Sequence, residues 1–401
     1  MNRLTKHAST DATLTSRQWL KSLAWSLGLS TALLAAAQAQ TIKIGVIAPL
    51  TGPAAPWGAA TAGGPKILAA EINAKGGLDV GGKKYQVEVV AYDDQYKAGD
   101  AVAAYSRLVR QDGAKFVIAM TSASTLAIKQ NLEDEKVIGL TSSLTDKAFD
   151  GNTKYLFRLY SPPTHFLAPL VSWMRGNLKE KRLVIINPND ETGWAQTDLS
   201  KTVYKKEGFE VLGSELYERS AKDFQPLLTK VIAMKPEIID LSTTVPASAG
   251  LVVRQARDLG YKGIFVQTGA GGAKEIVAGA GKEAAEGTIT TLYADPANAG
   301  YQRLVGDYKK LNGQEPNNIV VAFYDATNVL LHAIQKAGSI SDTEKIASAF
   351  SSALPVKSLQ GDELSFGGKS ATGVDVSNQI MTVNYIAVIK NGETAIVGKI
   401  K

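Results

Sequence analysis

Residues 41–77 read TIKIGVIAPLTGPAAPWGAATAGGPKILAAEINAKGG. The opening run, 42–48, is short, apolar and rich in Ile and Val, which suits a strand buried on both faces. Residues 65–73 then carry helical spacing, and Gly76-Gly77 marks a helix stop. A strand followed by a helix is half of a βαβ unit, and the pattern recurs along the chain. Strand-like runs at 85–92, 116–120 and 137–141 join the first into one set, with a helix over 100–111 that stops at Gly113. A second set comprises 182–187, 209–216, 237–242 and 263–267, with helices over 224–234, after the cap candidate Asp223, and 247–259, before Gly260.

Two further runs, 155–160 and 288–293, are followed by Pro162-Pro163 and Pro296, and are candidate crossings between the sets. Helices over 301–311, 318–336 and 342–350 would return to cover the first sheet. A Gly-rich segment, 361–373, leads to a terminal hairpin over 379–390 and 394–400, with Asn391-Gly392 as its two-residue turn. The fold class is therefore α/β, with two lobes that each carry a mostly parallel sheet between helices. Open sheets of this kind bind ligands at the carboxyl ends of their strands, and two facing lobes make a cleft that can close about a hinge.

Composition narrows the chemistry. The 401 residues are 45% hydrophobic and 20% charged, ordinary for globular proteins, and the length is enough for more than one compact unit. There is no cysteine, so disulfides, thiolate nucleophiles, zinc ribbons and a lipid-modified cysteine are all excluded. The histidines, His7, His165 and His332, are too scattered for a metal set or a His-dependent triad. No metal and no cofactor is expected. Lys and Arg total 44 against 38 Asp and Glu, but residues 1–39 hold Arg3, Lys6, Arg17 and Lys21 against Asp11 alone, leaving 40 against 37. That surplus does not argue for a nucleic-acid partner.

The same 39 residues read as an export signal. Arg17 and Lys21 precede an apolar run over 23–37 and the small residues Ala37-Gln38-Ala39, so cleavage is expected before Gln40, leaving a periplasmic protein. At 15 residues the run is short for a membrane span.

Several motifs fail. Gly269-Ala270-Gly271-Gly272 follows a strand, but Lys274 stands where a dinucleotide fingerprint needs its third glycine. Gly281-Lys282 lacks the earlier glycine of a phosphate loop. Asp93-Asp94 reads as a turn and helix start rather than as an acid pair, and His332 as a packed residue of an apolar helix. No nucleophile with a base and no metal cluster is in place, so an enzyme is not expected.

The segment 42–53, Trp57-Gly58, Glu71-Ile72-Asn73-Ala74-Lys75-Gly76-Gly77, and in the second half Lys222-Asp223-Phe224-Gln225-Pro226-Leu227-Leu228 and Arg254-Gln255-Ala256-Arg257, together resemble the branched-chain amino acid binding proteins of bacterial ABC uptake systems. The resemblance runs through essentially the whole chain after residue 39. It implies a type I periplasmic binding protein, each lobe a three-layer parallel-sheet sandwich, with three hinge crossings. Lobe 1 would comprise 40–160 and 292–373, and lobe 2 would comprise 161–291 and 374–401. The implied partners are a small carboxylate-bearing ligand and an inner-membrane ABC permease, with the receptor a monomer. A receptor that feeds a signalling system instead would share every one of these residues.

In that family the ligand carboxylate is held by two Ser/Thr-rich loops of the first lobe. The matching segments are Thr121-Ser122-Ala123-Ser124-Thr125 and Thr141-Ser142-Ser143-Leu144-Thr145. The resemblance assigns the contacts to Ser122, Ser143 and Thr145, with Ser124 as a helix cap; hydroxyls and helix N-termini can satisfy an anion without a full opposing charge. Trp57 is expected as an aromatic lid. Thr192 and Trp194 stand where the second lobe faces the cleft, Thr192 near the place of a family tyrosine, and Val245 and Gly269 complete the candidate set. One departure stands out. Amino-acid-binding members carry a carboxylate after the strand matching 264–267, where it pairs with the ligand's ammonium, but this chain has Thr268-Gly269-Ala270-Gly271-Gly272, and an acid only at Glu275. An amine-less carboxylate, such as an aromatic or 2-oxo acid, is therefore expected, unless Asp190 or Glu191 supplies the charge from the opposite rim.

Overall fold

The computed structural model describes residues 41–269, 272–367 and 378–400. The expected export signal, 1–39, and residues 368–373 of the Gly-rich segment lie outside them. A six-stranded sheet has the order β2-β3-β1-β4-β5-β6, drawn from β1 (Thr41–Ala48), β2 (Leu78–Val80), β3 (Lys83–Asp93), β4 (Phe116–Ala119), β5 (Ile138–Thr141) and β6 (Leu156–Arg158). Its core pairings β1/β4, β4/β5 and β5/β6 are parallel. Alternation decides which residue faces which layer. Ile42, Ile44 and Val46 pack with Ile67 and Leu68 of the helix Ala55–Ala74 and with the helix Val320–Ala337. Ile47, Val117 and Ala119 pack on the other face, against the helices Ala98–Arg110 and Ser122–Asp134.

The second lobe repeats the scheme. Its seven-stranded sheet has the order β15-β14-β11-β10-β9-β7-β8, from β7 (Arg182–Pro188), β8 (Glu210–Tyr217), β9 (Ile238–Asp240), β10 (Ile264–Gln267), β11 (Ile289–Leu292), β14 (Asn384–Lys390) and β15 (Glu393–Ile400). Leu183, Ile185 and Ile238 face the helices Pro163–Asn177 and Glu191–Lys206, whereas Val184, Ile186 and Ile239 face Gln225–Ala233 and Pro246–Asp258. The terminal hairpin forms with its first strand starting at Asn384 rather than at 379, and with Asn391 at φ +53° and Gly392 at +80°, the signature of a tight type I′ turn.

Residues 288–293 form a strand, β11, in which Ile289 pairs with Val266 and Val388 inside the second sheet, and Tyr293 and Ala294, next along the chain, pack in the first lobe's core. Two expectations need correction. The helix expected at 65–73 begins ten residues earlier, at Ala55. Gly63, Gly64 and Pro65 look like helix breakers, but a Cβ on Gly64 would sit 2.6 Å from the Val320 carbonyl oxygen and 2.7 Å from Tyr324 N. The glycine is there to let two helices touch. The cap of Gln225–Ala233 is Phe224 rather than Asp223, whose carboxylate instead accepts from Gln225 N.

The connections between lobes are tied to one another. Ser161 donates its hydroxyl to the Thr382 carbonyl at 2.9 Å and accepts from Thr382 N at 2.8 Å. Tyr160 and Tyr293 pack with ring centroids 4.8 Å apart. Among the described residues after the Gly-rich segment, β13 (Ile380–Met381) pairs with β12 (Ser365–Phe366), Ile380 sits in the first lobe's core, and the chain joins the second sheet at β14. No helix among the described residues is long and apolar enough to cross a membrane.

Candidate ligand-binding site

Each parallel strand hands the chain to a loop at its carboxyl end, and the loops of both sheets converge on one cavity. Trp57 comes from the segment after β1, Tyr96 from that after β3, Met120, Thr121 and Ser122 from that after β4. Ser142 and Leu144 follow β5, and Tyr160 follows β6. The second sheet contributes Thr192 after β7, Thr243 after β9 and Gly269 after β10, while Ile319 closes one side from the start of Val320–Ala337. The centres of water molecules can occupy only about 30 Å³ of it.

Hydroxyls organise the first-lobe wall. Thr121 caps Ser122–Asp134, its side chain accepting from Ser124 N at 3.0 Å. The first N–H groups of a helix have no intrahelical partner, so this end offers donors and positive potential. Ser122 Oγ accepts from the Ser143 hydroxyl at 3.2 Å and from Leu144 N at 3.1 Å. A hydroxyl has two acceptor positions and one proton, so with both positions filled Ser122 is left to donate. Trp57 is 5% exposed, and its indole N–H has no partner. A buried donor on a cavity wall without an acceptor is costly unless a ligand supplies one.

The second-lobe wall is built around Asp190. Its carboxylate caps Glu191–Lys206 by accepting from Thr192 N at 3.1 Å and Gly193 N at 3.0 Å, and it forms a two-pronged ion pair with Arg219. Burial opposes the Arg219 charge, but Tyr96 and Asp190 outweigh it and hold the guanidinium above its ordinary value. Gly193 is required for this turn, because a Cβ there would lie 1.8 Å from the Pro188 carbonyl oxygen. Gly269, at φ +78°, donates to Thr291 Oγ1 at 3.1 Å.

Comparison with known proteins places this architecture. The family profile described as periplasmic binding protein matches residues 41–393. Over 319 residues the chain is 31% identical to the leucine-, isoleucine-, valine-, threonine-, and alanine-binding protein of Pseudomonas aeruginosa, covering 78% of this chain and 82% of that protein. The chain belongs to the periplasmic branched-chain amino acid binding protein family. A leucine binding protein from Thermotoga maritima has the same fold, with TM-score 0.76 at 25% identity, covering 90% of this chain and 99% of that one. So does a solute binding protein from R. palustris in complex with benzoate, with TM-score 0.74 at 18% identity, covering 90% and 96%. These are substrate-binding proteins of the ABC transporter type, not enzymes.

In this binding protein, Trp57, Ser122, Thr192 and Gly269 line the cavity, and five other candidates stand off it. Ser124 is not the cap, which is Thr121; its hydroxyl is spent on Asp94 Oδ2 at 2.5 Å. Ser143 does not line the cavity and donates its hydroxyl to Ser122 Oγ. Thr145 caps the short turn Asp146–Ala148, and its carbonyl accepts from the buried Arg158 at 2.8 Å. Trp194 is 46% exposed and donates to Asn189 Oδ1 at 2.9 Å. Val245 is buried among the apolar side chains of the first core. Asp93 ends β3 and Asp94 follows it; they brace the turn at 95–96 by accepting from Leu50 N and Gln95 N and from Tyr96 N respectively, and the helix starts only at Ala98. Tyr96, Tyr160, Thr243 and Arg219 escaped the sequence reading. Position was the available signal, because each follows a strand at the carboxyl end where the recognised loops also emerge.

Proposed function

We propose that this protein is the periplasmic receptor of an ABC importer, that it captures a small carboxylate lacking an α-ammonium group by closing its lobes, and that it delivers this ligand to an inner-membrane permease. The observation that carries the reading is charge. Among the described residues lining the cavity none is acidic, whereas Ser122, Trp57 and a helix N-terminus all present donors. Of the two acids on the opposite rim, Asp190 is already engaged by Arg219 and by two backbone N–H groups, and Glu191 does not line the cavity. Glu275 bonds Asn317 Nδ2 at 3.0 Å and lines a separate cavity with Tyr301 and Pro296. An ammonium placed in the cleft would lose its hydration without gaining a counter-charge, a cost of several kcal/mol. A carboxylate meets the opposite situation. The apolar remainder of the wall, Met120, Leu144 and Ile319 with the rings of Trp57, Tyr96 and Tyr160, fits an aromatic or branched 2-oxo acid. The benzoate held by the R. palustris neighbour supports the same class.

A second reading, capture of a branched-chain amino acid itself, is favoured by the identity to the Pseudomonas aeruginosa relative. A thermal-shift screen separates the two, since a ligand that binds only the folded state raises its melting temperature. Benzoates and 2-oxo acids are expected to raise it, and aliphatic amino acids at the same concentration to leave it within a degree. Stabilisation by amino acids alone would transfer the site to the second reading.

A further inference from the structure

The least ordinary backbone of the cleft belongs to Tyr96. It has φ +64°, beside Gln95 at +48°. Bulky L-residues rarely enter this region, and one does so only where its surroundings over-determine it. Here the Tyr96 N–H donates to Asp94 Oδ1 at 2.9 Å, Lys97 N donates to the Asp94 carbonyl at 2.7 Å, and Asp94 is held from its other oxygen by the Ser124 hydroxyl. The result is a ring that meets the opposite lobe. The Arg219 guanidinium carbon lies 3.9 Å from the Tyr96 ring centroid. Arg219 is fixed in turn by Asp190 and by the Thr243 carbonyl at 3.4 Å. Tyr96, Thr192 and Thr243 all line the cavity, while Arg219 stands behind the ring.

We propose that Tyr96 sets the ligand size accepted by this cleft, and that Arg219 is the positioning residue that pins the ring as its wall. The inference rests on the cleft being the ligand site, but not on which carboxylate enters it. A ring with a cation over its face, on a backbone fixed by its N–H bond to Asp94, is held against rotation, so it bounds the cavity like a fixed partition. Without the ring the cavity extends toward Arg219, which makes room for longer ligands and removes apolar contact from short ones. Lysine at 219 keeps the charge, but loses the planar face that stacks and the fork that grips Asp190.

The test is isothermal titration of the full chain, its Tyr96→Ala, Tyr96→Phe and Arg219→Lys variants, against 2-oxo acids of increasing side-chain length and against the amino acids with the same side chains. The quantity read is the ratio of Kd for long and short members of a series, alongside each variant's melting temperature. Tyr96→Ala is expected to shift the ratio toward long ligands by about tenfold, the worth of one methylene in an apolar pocket. Arg219→Lys should move it the same way by less, and Tyr96→Phe, which keeps the ring, should stay near the parent. If Tyr96→Ala does not fold, the Arg219→Lys ratio against the Tyr96→Phe ratio carries the test. Ratios unchanged in folded Tyr96→Ala and Arg219→Lys would overturn the proposal, as would a parent that binds neither series. A parent that binds only the amino acids would end the amine-less reading, and the ratio within that series would still test Tyr96.

Discussion

At the scale of single residues, the candidate site turns on which hydroxyl still has a proton to give. Ser122 and Ser143 look alike in the sequence, yet Ser143 and Leu144 N both donate to Ser122, which leaves only Ser122 free to donate into the cavity. Ser122→Ala should therefore weaken carboxylate binding by about 1.5–3 kcal/mol, the worth of a hydrogen bond to a charged group, or at least about tenfold in Kd. Ser143→Ala should cost clearly less, because it removes only the orientation of Ser122. Titration of both variants with the best ligand checks the order, and equal losses would mean that both hydroxyls touch the ligand. Trp57 and Ser122 were legible because they follow a strand within matching segments. Tyr96 and Arg219 were not, because their meeting depends on two loops over a hundred residues apart facing each other across a cleft, and local periodicity says nothing about that.

At the scale of elements, the strands were legible from their β-branched runs, and the helix stops from their glycines. The helix Ala55–Ala74 starts ten residues before the expected start, running through Gly58, Gly63 and Gly64. Space around the glycine decides its role, and the sequence does not record space. Gly64 meets the backbone of Val320–Ala337, whereas Gly306, inside the helix Ala299–Asn312, has nothing within 4 Å of where a Cβ would be. Two opposite effects of one substitution follow. Gly306→Ala should stabilise the protein by about 1 kcal/mol through helix propensity and lost freedom in the unfolded chain. Gly64→Ala should destabilise it, because forcing two packed helices apart costs about 1–3 kcal/mol, more than propensity returns. Urea unfolding of the two variants measures both signs in one experiment.

At the scale of the whole molecule, each lobe buries a carboxylic acid that its fold would rather keep neutral. Burial pushes Asp240 of the second lobe up to about 6, against the lowering effect of its bonds from Ser242, and pushes Asp325 of the first lobe up to about 6, against those from Ser358, Leu359 and Gln360. A raised carboxylate binds its proton in the folded state before it does in the unfolded state. Between pH about 6 and the ordinary carboxylate value near 4, the folded form thus holds more protons, and stability rises as pH falls through that window. The melting temperature is expected to increase from pH 7.5 to 5.5, and Asp240→Asn and Asp325→Asn should each flatten that slope. A slope unchanged in both variants would remove these groups from the account.

The two lobes, their helices and the hairpin end were written in patterning, but the proposed ligand chemistry rests on an absence, that of an acid between Thr268 and Gly272. That absence matters only because Asp190 is occupied by Arg219. The most direct measurement is calorimetric titration of leucine against 4-methyl-2-oxopentanoate, which share a side chain and a carboxylate and differ at the amine. Binding of the oxo acid at least about tenfold tighter is the predicted result, since an unpaired buried ammonium costs several kcal/mol. Tighter binding of leucine would contradict the account.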